Sequence, residues 1–137
     1  MSNRFEELRG ADGILEAYYY YCDNELHRED GPAAVWFYKT GIIEKQIWCK
    51  NGKLHREDGP AHERFYQNGK LSARMWYRHN KPHCIDGPAY VTFFPNGNIA
   101  EKAYCLDGVF LTKTRYLRQA SLQKLLVKQS GGSDMTL

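Results

Sequence analysis

Three stretches of this 137-residue chain put acid–base residues side by side: His27-Arg28-Glu29-Asp30-Gly31-Pro32, His55-Arg56-Glu57-Asp58-Gly59-Pro60 and His83-Cys84-Ile85-Asp86-Gly87-Pro88. Histidine beside carboxylates can move a proton, and the same residue types can ligate a metal. The spacing argues against both uses. The stretches recur every 28 residues. If each unit holds two strands, equivalent residues stand roughly 9.6 Å apart along a sheet. A metal needs its ligands within about 2–2.6 Å.

The third copy also drops the Arg-Glu pair and keeps His, Asp, Gly and Pro. Those four are residues of a turn. Asp86 can accept backbone hydrogens, Gly87 can turn left-handed, Pro88 can open an edge segment, and His83 can lie on Trp76. The expectation is a chain with no catalytic residue, no metal ligand and no cofactor, hence not an enzyme. Neither a P-loop, a nucleophile elbow nor a dinucleotide fingerprint is present. An acid–base site built from Asp and His of neighbouring loops is the enzymatic alternative.

The elements that position these loops follow from the period. Gly41, Gly69 and Gly97 are 28 apart, as are Phe37, Phe65 and Phe93, and Trp48, Trp76 and Tyr104, with Tyr20 one period earlier. This is the signature of a stacked array. Each unit carries two turns. Asp23-Asn24, Asn51-Gly52, His79-Asn80 and Asp107-Gly108 suit two-residue type I′ hairpins, which need φ > 0 at both positions. Lys39-Thr40-Gly41, Gln67-Asn68-Gly69 and Pro95-Asn96-Gly97 suit three-residue loops ending in a left-handed Gly.

A loop at 39–41 places Phe37 opposite Ile43. Strict alternation then puts Ala33, Val35, Phe37, Ile43, Ile47 and Cys49 on one apolar face. Trp36, Tyr38, Gln46 and Trp48 fall on the other, followed by Arg64, Tyr66, Arg74 and Trp76. The turn at 51–52 sets Leu54 opposite Cys49 and His55 opposite Trp48. The expected fold is mainly β: a single-layer antiparallel β-hairpin repeat array with a C-terminal helix.

The expected organisation is a lead over 1–17, with residues 3–9 read as a short helix, then repeats over 18–112. A basic helix follows over 113–130, with Leu122, Leu125 and Leu126 on one side, and then a flexible tail over 131–137. That helix is the nearest candidate to cover the open apolar face. Net charge is uneven. Residues 1–108 hold 14 Lys/Arg against 15 Asp/Glu, and residues 109–137 hold five against one. No apolar run approaches the roughly 18 residues of a membrane span, and no signal core opens the chain, so the expected location is cytoplasmic. Cys22, Cys49, Cys84 and Cys105 form no CxxC pair, and read as reduced packing thiols.

Asn51 to Ala61, Asn-Gly-Lys-Leu-His-Arg-Glu-Asp-Gly-Pro-Ala, followed by Phe65-Tyr66-x-Asn68-Gly69-Lys70, resembles the MORN-like repeats in their tandem LHREDGPA variant. Such arrays are of the phage and large DNA virus type. The resemblance covers about residues 18–110. It implies a hairpin array used for contacts and, on the viral side, a protein that binds and inhibits a host defence or regulatory factor, which would place it in the host cytoplasm.

The leading expectation is therefore a protein-binding module. Its contact residues would be the aromatic face, Trp36, Tyr38, Trp48, Arg64, Tyr66, Arg74 and Trp76, with the loop residues Arg28, Glu29, Arg56 and Glu57. A homo-oligomer through an exposed sheet face or edge is a further expectation. Nucleic-acid binding is the alternative, through the aromatic and basic residues, although the repeats carry net negative charge. Membrane-surface binding through the basic helix is the third reading.

Overall fold

The computed structural model describes residues 2–133, with side chains through 129. Its backbone is a ladder of hairpins. Strands β1 (Asn3–Arg9) and β2 (Leu15–Cys22) form the first, and β3 (Glu25–Leu26) folds back on β2. Then come β4 (Ala34–Phe37), β5 (Ile43–Ile47), β6 (Cys49–Lys50) and β7 (Lys53–Leu54). The next period gives β8 (His62–Phe65), β9 (Leu71–Met75), β10 (Tyr77–Arg78) and β11 (Lys81–Pro82). The last gives β12 (Tyr90–Phe93), β13 (Ile99–Leu106) and β14 (Val109–Leu111), before helix α1 (Lys113–Ser133). The main sheet is antiparallel in the order β1-β2-β4-β5-β8-β9-β12-β13-β14, with β3 attached to β2, while β6–β7 and β10–β11 are separate small ladders.

Both turn expectations hold. Asp23, Asn24, Asn51, Gly52, His79, Asn80, Asp107 and Gly108 all have positive φ, as type I′ demands. Gly41, Gly69 and Gly97 sit at φ 89, 85 and 92°. Gly41 N–H donates to the Tyr38 carbonyl and Tyr38 N–H to the Ile42 carbonyl, closing the three-residue loop. Phe37 pairs with Ile43, and Cys49 with Leu54.

Strict alternation fails one residue further along. Trp36 pairs with Lys45, not Glu44, so Glu44 is a bulge; the same shift follows Arg64 and Thr92. A bulge moves every later side chain of its strand to the other face. Gln46 therefore pairs with Val35, and Ile47 with Ala34 beside Trp36. The expected apolar face is corrected accordingly: Ile47 leaves it. Tyr20, one period before Trp48, lies 5.7 Å from Tyr18, which lies 5.8 Å from Phe37. The Trp48 position thus shares the Phe37 face, contrary to the expected separation.

Residues 3–9 form no helix. They are edge strand β1, with Phe5 against Tyr18 and Tyr20 and Arg4 over Tyr21. Seven residues make a marginal helix, whereas β2 offers a full ladder of backbone partners. Gly13, with φ 80°, is 28 residues before Gly41 and closes the same loop, and the bulge recurs after Leu8. The lead is a degenerate first repeat.

Helix α1 begins as expected and runs to Ser133, into the stretch read as tail; 134–137 lie outside the described residues. It does not cover the sheet. Tyr116 and Ala120, one turn apart, are buried against Leu106, Ile85, Tyr104 and Leu111. The helix caps the last repeat, and Leu122, Leu125 and Leu126 stay exposed. Without a second layer, the largest fully buried side chains among the described residues are the small Val35, Val91 and Cys105, with Tyr116 and Leu106 nearly so under the helix. None of the described helices is long and apolar enough to cross a membrane.

Candidate interaction surface

The His-to-Pro loops tie each repeat to the next. Tyr20, Trp48 and Trp76 mark where one strand edge changes partner. Trp48 N–H donates to Ala61 and its carbonyl accepts from His55 N–H, so the chain between 56 and 60 loops away from the edge. Arg28, Arg56 and Cys84 N–H then donate to Cys49, Tyr77 and Cys105 in the following repeat, at 3.2, 3.3 and 3.2 Å.

The histidines complete the tie. Nδ1 of His27, His55 and His83 accepts the N–H of Asn51, His79 and Asp107, the first residue of each following I′ turn, at 2.9, 3.1 and 2.9 Å. This fixes the proton on Nε2, which reaches Glu29 Oε1 at 2.9 Å in the first copy. Burial holds the pKa of His55 and His83 below the ordinary histidine value. An Nδ1 used this way cannot also ligate a metal or accept a substrate proton. Among the described residues no group of three or more His, Cys, Asp or Glu is placed to hold a metal ion.

Arg28 and Arg56, expected as loop contact residues, are folded back onto the sheet. The Arg28 guanidinium lies 4.1 Å above the Tyr20 ring, and Arg56 lies 3.8 Å above Trp48. Each donates from Nε to its Asp, Asp30 or Asp58, at 3.1 Å, and from Nη1 to the carbonyl of Pro32 or Pro60. The loop glycine is explained by this approach rather than by a left-handed backbone. A Cβ on Gly31 or Gly59 would stand 2.8 or 2.7 Å from the guanidinium carbon, while φ is not positive at either, nor at Gly87. Of the four, only the glutamates project outward, with Glu29 and Glu57 side chains 73% and 74% exposed.

The expected contact residues divide between two faces. Trp36, Lys45 and Arg64 form one cross-strand row, with Lys45 Nζ 4.2 Å over the Trp36 ring. Beside them His62 is pushed down to about 4 by burial and by the cations Arg64 and Lys45. Gln46, Glu63 and Arg74 form a row on the opposite face, where Arg74 lies over Phe93. Tyr38 and Tyr66 are ties between repeats: their hydroxyls donate to the carbonyls of Phe65 and Phe93 at 2.7 and 2.6 Å.

On the Trp48 face, consecutive loops leave a row of grooves. Tyr20 and Arg28 line the first, Trp48, Arg56 and Glu57 the second, and Trp76, Arg74 and Asp86 the third. The second and third enclose about 300 and 390 Å³. All four cysteines are unpaired thiols, and burial raises Cys49 to about 11. The chain matches no protein-family model and no curated protein.

Proposed function

We propose that this protein is a non-enzymatic binding module whose partner is another protein. The observation that carries the reading is the row of grooves on one face, spaced by the repeat. Each is lined by an aromatic ring, covered by the repeat's own arginine in the first two, and has rims of both charge signs. Aromatic and arginine side chains are the types that anchor protein interfaces. Mixed charge suits a protein surface better than a polyanion. The histidine Nδ1 atoms are committed to backbone amides, which supports a structural rather than a proton-transfer role for the repeated histidines. On the resemblance to viral arrays, the partner is a host protein that this chain restrains.

The test uses the exposed rim. The immobilised full chain, cross-linked in host lysate, is expected to retain a protein that the Glu29→Lys/Glu57→Lys variant loses. No protein enriched over blank matrix, or retention indifferent to both charges, counts against the reading. A second reading rests on the other face. Lys45 and Arg64 stand directly opposite each other beside Trp36, an arrangement that costs repulsion unless an anion neutralises it. A salt-titrated gel shift with short single strands, compared with Lys45→Ala/Arg64→Ala, decides whether nucleic acid binds there.

A further inference from the structure

The third repeat keeps a receptor and lacks its guest. In the first two repeats an arginine of the loop fills a fixed set of groups: an aromatic ring beneath, a carboxylate at Nε, a proline carbonyl at Nη1 and a glycine without Cβ alongside. The third repeat retains every receptor, as Trp76, Asp86, Pro88 and Gly87, but carries Cys84 in place of the arginine.

The bonds that anchor the loop are the same, although here the Tyr116 hydroxyl also donates to the Cys84 carbonyl at 2.7 Å and accepts from Gly87 N–H at 2.9 Å. His83 N–H donates to Trp76 at 3.0 Å, against 3.0 and 3.1 Å in the earlier copies, and Trp76 N–H donates to Ala89 at 2.7 Å, against 2.7 Å in both. Where a Cβ on Gly31 or Gly59 meets a guanidinium, one on Gly87 meets nothing within 4 Å. The emptied position opens into the groove of about 390 Å³ lined by Trp76, Cys84, Asp86, Gly87 and Pro88.

We infer that this groove takes an arginine side chain from the partner protein, its guanidinium occupying the place that Arg28 and Arg56 fill in the other repeats. The inference rests on the protein-binding reading and names its chemistry. The cavity is much larger than a guanidinium and shares Arg56 and Glu57 with the neighbouring groove, which fits an arginine delivered on an extended chain. The walls are balanced, with Arg56, Arg74 and Arg78 against Glu57, Asp86 and Asp107. Lys124 already contacts one Asp86 oxygen at 3.0 Å, but both side chains are more than half exposed. Such a pair contributes little and yields readily to a stacked, forked donor.

The experiment follows the Trp76 indole N–H by NMR while the full chain is titrated with N-acetyl-arginine-N-methylamide. A saturable shift is expected, with none from the citrulline analogue, which has the same shape without the charge. Gly87→Ala is expected to fold and to melt no lower than the wild type, because its Cβ enters open space, and to weaken binding by about tenfold or more. Cys84→Arg fills the site from within; it abolishes binding and raises the thermal midpoint. A missing shift, an equal response to citrulline, or undiminished binding by both variants overturns the inference. Free methylguanidinium binding as tightly as the blocked arginine overturns the assignment to a polypeptide. If arginine fails to bind while Glu29 and Glu57 still govern protein capture, this site falls and the protein-binding reading stands; if both fail, both fall.

Discussion

Replacing Gly59 with alanine is a test of the stacked arginines. The added Cβ would lie 2.7 Å from Arg56 Cζ, too close to stay, and the flexible arginine is what yields. Its displacement forfeits the Trp48 stack, about 0.5–2 kcal/mol for a partly desolvated cation–π pair. It also forfeits the bond to the Pro60 carbonyl, where a charged donor contributes about 1.5–3 kcal/mol net of water. Alanine returns roughly 0.4–1 kcal/mol by stiffening the unfolded chain. The net expectation is a loss of about 1–4 kcal/mol, read from urea midpoints at constant slope. Gly87→Ala is the internal control: same motif, no arginine, and an expected gain of about 0.5 kcal/mol. In an Arg56→Ala background Gly59→Ala should behave like Gly87→Ala, which makes the two substitutions strongly non-additive. Equal effects at positions 59 and 87, or additivity of Arg56→Ala with Gly59→Ala, would mean that the Gly59 Cβ does not displace a stacked arginine.

Acid should loosen the array. His62 has a folded pKa of about 4 against 6.5 for the free side chain, and His55 and His83 are also lowered. A depressed histidine contributes its full stability above pH 6.5 and loses it as pH falls toward the folded value. His62 alone therefore accounts for about 3 kcal/mol between pH 6.5 and 4. Urea melts across that range should show the decline, and His62→Gln should flatten it; a slope unchanged by the substitution removes His62 as its source. Tyr66→Phe deletes the tie to Phe93 and should cost about 1 kcal/mol by the same assay, with an unaltered midpoint counting against the tie.

The turn chemistry was readable because it is local. Asn51-Gly52 and Gly41 announce their positive φ, and the pairing of Phe37 with Ile43 follows by counting. The two-face assignment was not, because Glu44, Ser72 and Ala100 show nothing that marks them as bulged residues, yet each reverses the strand beyond it. The first hairpin kept a signal, Gly13 at one period before Gly41, but Arg4, Glu6 and Glu7 obscured its strand pattern. The roles of His27, His55 and His83 were out of reach for a different reason. Their partners are backbone amides of residues 24 positions away, and a backbone amide leaves no mark in a sequence.

Those amides run in one direction. Each turn donates backward to the histidine of the preceding unit, and each Tyr38-type hydroxyl donates forward. Both series end where the next unit is missing: Leu111 stands one period after His83, and Phe94 one period after Tyr66, with no hydroxyl to place. A further 28-residue unit inserted ahead of the last would find every donor and acceptor waiting, and would lengthen the sheet by two strands, about 9.6 Å. The molecule is in this sense a ruler with fixed graduations. The distance between its first groove and its capped end can change only in whole units, and so can the span of any surface it is shaped to meet.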